Sequence, residues 1–302
     1  MLTRRGFAIL SLAPLVGGAF SWTTAGANEG GLASLGTSFV SLGASLAKIE
    51  TDGGGRLGVA VLDTGSGALA GHRLDERFPM CSTFKALTAA AILARVDAGK
   101  EQLSRRIRVE PKDILSYAPV SKQHVGAEMS VAELCEAMVT LSDNTAANIL
   151  LASMGGPSAI TEYARSLGDD LTRLDRIEPD LNESTPGDPR DTTTPAAMAK
   201  NLKALATGTA LSAGSRDQLI AWLVGCKTGD TKIRAGLPKS WRVGDKTGSG
   251  SHGSTNDVAV IWPEGRPPVI VAVYLTETAA PDDKRNAAHA AVGHAVAGVF
   301  GG

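Results

Sequence analysis

The hydrophobic period of this chain changes twice along its length, and that change restricts the fold more than any other feature. Arg56 to Leu62 and Ala68 to Leu74 are short apolar runs on either side of Asp63-Thr64-Gly65-Ser66-Gly67, the pattern of a two-strand hairpin. From Ser82 to Cys226 the apolar residues recur at helical spacing. Ser130-Val131-Ala132-Glu133 is a capping box opening a helix to about Thr140. Ala146 to Met154 forms another, stopped by Gly155-Gly156-Pro157. Thr194-Pro195 supplies the cap and first position of a further helix, and Ser215 to Val224 gives one more. After Cys226 strand-like runs return at Trp241–Lys246, Asp257–Trp262 and Val269–Leu275. An amphipathic helix over 32–50 and an Ala-rich helix over 282–299 occupy the two ends. The expected fold is therefore α/β plus all-α: an antiparallel sheet built from both chain ends with flanking terminal helices, and an all-helical domain inserted between them. The corresponding boundaries are 28–75 with 227–302 for the α/β domain, and 76–226 for the helical one.

Residues 1–27 stand apart. Arg4-Arg5 precede an apolar segment, Phe7 to Phe20, and Ala25-Gly26-Ala27 ends it with small residues, as in an export signal cleaved after Ala27. Thr3-Arg4-Arg5-Gly6-Phe7-Ala8 has the form of a twin-arginine signal, which carries a folded protein across a membrane. The run is short for a membrane span and is broken by Pro14, Gly17 and Gly18. A periplasmic or secreted product is expected, free of the membrane after cleavage. The rest of the 302 residues, with 43% hydrophobic and 20% charged content, can bury a real core. A net charge of −1 without a block of like charges leaves no basic patch, so nucleic acid is not an expected partner. Nothing points beyond a monomer. Cys81, Cys135 and Cys226 form no C-x-x-C pair, and His72, His124, His252, His289 and His294 lack ligand spacing. No metal and no cofactor are expected.

Four short segments carry chemistry. Ser82 and Lys85 stand three residues apart at the start of a long apolar helix, on one face. There the backbone N–H groups are unpaired and the dipole is positive, which favours negative charge on an attacked carbonyl. The spacing predicts that the Lys85 amine reaches the Ser82 hydroxyl. Ser142-Asp143-Asn144 falls in a turn between helices, where a hydroxyl can pass a proton and an amide can hold a carbonyl. Glu178-Pro179-Asp180-Leu181-Asn182 lies in a long stretch, Arg173 to Asp191, with no period and three prolines. Lys246-Thr247-Gly248-Ser249 ends a strand, offering a cation and an edge N–H.

In this order and spacing, Ser-x-x-Lys, Ser-Asp-Asn and Lys-Thr-Gly are the signature shared by class A β-lactamases and penicillin-binding proteins. The chain resembles a class A serine β-lactamase over roughly residues 30–299, with further matches at Tyr117-Ala118-Pro119-Val120, Thr145-Ala146-Ala147-Asn148, Asp191-Thr192-Thr193-Thr194-Pro195 and Thr255-Asn256-Asp257. The exported, broad-spectrum branch found chiefly in Gram-negative bacteria is the most similar. The resemblance implies a small-molecule β-lactam substrate, penicillins and cephalosporins among them. It implies that Ser82 is the acylated nucleophile, with Lys85 and Glu178 rival acylation bases. Ser142 beside Lys246 would return a proton to the leaving nitrogen. Asn144 would bind the substrate side chain, Tyr117 would wall the entrance, and the N–H groups of Ser82 and Ser249 would form the oxyanion hole. Thr247 and Gly248 complete the substrate strand, and Glu178 with Asn182 would hold the deacylating water. The family's loop also has a cis bond before the residue at Pro179 and an Arg176–Asp191 staple.

Some positions depart from family subtypes. Carbapenem-hydrolysing members pair the cysteine at Cys81 with one two residues past Lys-Thr-Gly, where this chain has Gly250. Cys135 matches half of another family disulfide, but Ala89 stands at its partner position, so three free thiols are expected. The arginine that some members carry seven residues after the Lys-Thr-Gly glycine is Thr255, leaving Lys232 or Arg285 to bind the substrate carboxylate. Two other readings share the first motif: a cell-wall D,D-peptidase, and an antibiotic sensor that is acylated without turnover.

Overall fold

In the computed structural model, which describes residues 29–301, the ends of the chain do build one sheet. The segment assigned to the export signal lies outside the described residues. Helix α1 (Glu29–Gly53) leads into strands β1 (Arg56–Asp63) and β2 (Leu69–His72). A two-residue strand β3 (Phe78–Pro79) and a 3-10 turn, Cys81–Thr83, precede α2 (Phe84–Asp97). Then come β4 (Arg106–Arg108), β5 (Glu128–Ser130), α3 (Val131–Thr140), α4 (Asn144–Ser153), α5 (Ser158–Ser166), β6 (Thr192–Thr193), α6 (Pro195–Ala206) and α7 (Ala213–Val224). Strands β7 (Arg242–Ser249), β8 (Thr255–Trp262) and β9 (Val269–Thr276) and helix α8 (Asp282–Phe300) complete the order. The main sheet runs β2-β1-β9-β8-β7, antiparallel at each pairing.

Antiparallel strands often show one wet face, yet β1 and β9 are apolar nearly throughout. The reason is that helices cover both sides. Successive side chains point to opposite faces, so Leu57, Val59 and Val61 pack with Leu42 and Leu46 of α1 and Val292 and Val296 of α8. Ala60 and Leu62 face the other way, into a core shared with Phe84, Leu87, Met198 and Leu202 of α2 and α6. This second core joins the sheet to the helical insertion. It fixes where β7, the free edge of the sheet, meets the start of α2.

Several local features differ from the sequence expectation. Helix α4 begins at Asn144, so the Ser-Asp-Asn segment is half turn and half helix, because the Asp143 carboxylate caps it by accepting the Ala146 N–H. Helix α7 begins at Ala213 because Ser212 accepts the Ser215 N–H. Helix α5 and the small ladders β3–β6 and β4–β5 have no counterpart in the sequence pattern. Those strands are two or three residues long, too short for any period to register. Among the described residues no helix is long and apolar enough to cross a membrane.

Candidate active site

The site lies where the edge strand β7, the turn before α2, the α3–α4 junction and the 173–191 loop meet. Ser82 sits in the 3-10 turn, which is held at Met80 by a donation from Met80 N to Asp191 O at 2.9 Å and from Thr83 Oγ1 to Met80 O at 2.8 Å. Cys81, between them, has φ +44°. Non-glycine residues rarely adopt that conformation, and such strain collects at functional sites where the surroundings impose it.

Ser82 Oγ donates to Glu178 Oε1 at 3.2 Å. The Lys85 amine approaches the same oxygen at 2.9 Å, and both of these charged side chains are fully buried. Lys85 Nζ also donates to Asn144 Oδ1 at 2.6 Å and Ser142 O at 2.9 Å, with Ser142 Oγ at 3.4 Å. The expected direct bond from Lys85 to the Ser82 hydroxyl is therefore corrected: among the described residues the two meet at Glu178 instead. A carboxylate, a carbonyl and an amide oxygen are better acceptors for an ammonium than a hydroxyl. Burial pushes the Lys85 pKa down from the ordinary lysine value, against the attraction of Glu178.

On the opposite side Lys246 Nζ donates to Ser142 Oγ at 3.0 Å and to Thr247 O at 2.8 Å. Burial, reinforced by the neighbouring Lys85 charge, lowers its pKa from 10.5 to about 8. The Ser142 hydroxyl thus lies between two amines on a residue whose φ is +59°. With Oδ1 of Asn144 committed to Lys85, its amide nitrogen is the group that can donate to a substrate carbonyl.

The second carboxylate oxygen of Glu178 accepts from Asn182 Nδ2 at 2.5 Å. The backbone on either side is clamped: Glu178 N donates to Asn148 Oδ1 at 2.9 Å, and Asn148 Nδ2 donates to Glu178 O at 2.8 Å. The Glu178–Pro179 bond is cis. At the loop's ends Asp191 accepts from Asp175 N, Arg176 N and Arg176 Nε at 2.8, 2.9 and 2.6 Å. Irregular as it is, the loop is tied down by buried polar groups rather than by regular structure.

Asp143 is an anchor to which the sequence pattern assigns no role. Its Oδ2 accepts from Val120 N and Ser121 N, and its Oδ1 from Ser121 Oγ and Ala146 N, all at 2.8–2.9 Å. It thereby holds Tyr117, half-exposed at the rim, in the loop leading to the site. Asn148 ends the Thr145-Ala146-Ala147-Asn148 match, and its clamp on Glu178 has no local signature because the partners are 30 residues apart. On β7, Thr247 is buried and its hydroxyl lies 2.5 Å from that of Thr228. Ser249 is exposed at the strand's end. A Cβ on Gly248 would stand 2.9 Å from Met80 O and 3.0 Å from Ser82 N, so only glycine lets β7 approach the turn so closely.

The model of the β-lactamase enzyme family matches residues 41–300. Over 232 residues the chain is 52% identical to β-lactamase CTX-M-8 of Citrobacter amalonaticus, covering 77% of this chain and 80% of that one. A solved ancestral class A β-lactamase is 62% identical, with a TM-score of 0.85 over 86% of this chain and all of that one. The chain belongs to the class A serine β-lactamases. β-Lactamase L2 of Stenotrophomonas maltophilia, 50% identical over 79% of each chain, is another relative. A solved class A β-lactamase from Rhodopseudomonas palustris shares 58% identity at a TM-score of 0.85, over 85% of this chain and 99% of that one.

In this β-lactamase all three cysteines are free and buried. Burial drives the Cys81 thiol up to about 12, which keeps it protonated beside the nucleophile. Of the two candidate carboxylate cations, Lys232 is buried and donates to Thr255 Oγ1, and Arg285 is paired with Asp282. Among the described residues no cluster of His, Cys, Asp and Glu is suited to a metal ion.

Proposed function

We propose that this β-lactamase opens penicillins and cephalosporins through an acyl-enzyme on Ser82 and releases it with water activated by Glu178. The observation that carries this reading is one buried carboxylate bonded on one oxygen to the nucleophile and Lys85 and on the other to Asn182. A group so placed can take the Ser82 proton in acylation, and the direct bond favours Glu178 over Lys85 for that step. The attacked carbonyl oxygen becomes an oxyanion between the N–H groups of Ser82 and Ser249, each such donor contributing about 3 kcal/mol. Ser142, with Lys246 behind it, delivers a proton to the departing nitrogen and is reprotonated from Glu178 through Lys85, whose amine lies 3.4 Å from the Ser142 hydroxyl, so that Glu178 is a carboxylate again. Glu178 and Asn182 then hold the water that attacks the ester, and Glu178 takes its proton. Asn144 and Tyr117 bind the side chain, while Thr247, Lys246 and Lys232 receive the carboxylate. Lys232 is favoured over Arg285 because its amine sits against Thr255, the position at which some members of the family carry the arginine.

The Glu178–Asn182 pair disfavours the sensor reading, since a sensor keeps its acyl group, and the D,D-peptidase reading, since such enzymes lack this arrangement. Export by the twin-arginine route to the periplasm, activity as a monomer, and a boundary between the sheet and helical regions near 75/76 and 226/227 belong to the same proposal. A chromogenic cephalosporin mixed with purified protein tests it. Many turnovers per molecule are expected, abolished in Ser82→Ala. A single stoichiometric burst with no further turnover would overturn hydrolysis in favour of the peptidase or sensor.

A further inference from the structure

We infer that Asn256 is a positioning residue for the oxyanion hole, an inference that rests on the acyl-enzyme chemistry proposed above. Asn256 is on β8, fully buried, and is the cross-strand partner of Gly248. Paired residues project from the same face of a sheet, so the missing side chain at Gly248 and the amide of Asn256 address the same neighbour. That neighbour is the turn carrying Ser82. Asn256 Nδ2 donates to Pro79 O at 2.9 Å and to Met80 O at 3.0 Å, the two carbonyls immediately before Cys81. Met80 O accepts in addition from Thr83 Oγ1. The Met80 peptides are thus fixed from the sheet through Asn256 and from the 173–191 loop through Asp191 O.

Next along the chain come the strained Cys81 and then Ser82, whose backbone nitrogen lies 3.0 Å from where a Cβ on Gly248 would stand. An oxyanion hole needs two N–H groups aimed at one point, and these two come from separate elements, the turn and β7. Within this β-lactamase the side chain of Asn256 ties the turn to the sheet that carries the second donor. Its Oδ1 is buried without a hydrogen-bond partner. A buried orphan acceptor is a cost to folding, so the amide occupies this position for its two donors. No other side chain donates to both carbonyls among the described residues.

The test uses the Glu178→Gln protein, in which the acyl-enzyme should persist, and a penicillin carrying a 13C-labelled β-lactam carbonyl. Donors in the hole polarise the acyl C=O and lower its infrared stretching frequency, and a misaimed donor lets it rise. Asn256→Leu, of similar volume but without donors, is expected to move the band to higher wavenumber or split it. It should also slow acylation about 10- to 100-fold, the scale of a displaced reacting group. Asn256→Ser, smaller and still a donor, should shift the band less, and it carries the test should Asn256→Leu not fold. A band at the parent wavenumber with unchanged acylation in a folded variant would overturn the inference. Absence of any acyl-enzyme both in the Glu178→Gln parent and in rapidly quenched protein with Glu178 intact would instead overturn the proposed chemistry, which is a separate result.

Discussion

Glu178 and Lys246 are the side chains whose removal or ionisation should leave the clearest trace. In the proposed mechanism Glu178→Ala removes the group that takes a proton in both steps, yet leaves the oxyanion hole in place and Lys85 to accept the Ser82 proton in a slower acylation. It is expected to accumulate acyl-enzyme, visible as a mass increase after mixing with a penicillin, while steady hydrolysis falls by several orders of magnitude; undiminished turnover would refute the assignment. Lys246 bears on pH. With its pKa lowered to about 8, the cation proposed to receive the substrate carboxylate is lost as pH rises through that value. The alkaline limb of kcat/KM should therefore fall near pH 8, and Lys246→Arg, whose guanidinium stays charged, should move that limb well upward. The sign for folding is opposite. The unfolded chain keeps this proton to near 10.5, so this group makes stability rise with pH between about 8 and 10.5. Residue identities at the site were legible because the motifs are local. The partners of Lys85 were not: it bonds to groups 57 to 93 positions away, and no spacing rule announces that.

At the level of elements, the site is assembled by polar anchors. Asp143 caps α4 and gathers the loop bearing Tyr117 with four hydrogen bonds. Asp143→Ala should cost about 2–4 kcal/mol, since it strips a cap and leaves buried N–H groups unpaired. Thermal unfolding measures that loss, and a penicillin KM raised together with a lowered kcat would register the displaced loop. The 173–191 loop is held mainly through Asp191, which is almost fully buried and takes the Arg176 guanidinium. Arg176→Ala is expected to slow deacylation more than acylation, because in the proposed mechanism the attacking water needs Glu178 and Asn182 of this loop together, whereas acylation also has Lys85 beside the nucleophile. Burst kinetics separates the two steps, and equal slowing of both would count against this division of labour. The elements with long periods or capping boxes, such as α3 with Ser130 and Glu133, were readable in advance. Short ladders and α5 were not, because tertiary packing rather than local preference decides them.

The whole molecule is two cores separated by one sheet. Leu46 of α1 lies in the core away from the site, fully buried against the sheet. Leu46→Ala should destabilise by about 2–5 kcal/mol and lower the thermal midpoint by several degrees, while the kcat of the folded fraction is unchanged. A matching loss of kcat at temperatures where the variant is folded would mean that the outer core also tunes the site. The inner core behaves differently, because Phe84, Leu87 and the strands β8 and β9 together set the distance between the turn at Ser82 and β7.

By itself the sequence determined the α/β-plus-helical architecture, the four motifs and the family, since periodicity, capping and short motifs are written in neighbouring residues. Only the tertiary structure decided that Glu178 joins Ser82 to Lys85, that Asp143 and Asn148 brace them, and that Asn256 stands behind the nucleophile. Those relations exist because antiparallel pairing and core packing bring distant residues into hydrogen-bonding range, Asn256 and Pro79 being 177 positions apart, a property of the closed fold and of no single stretch of chain.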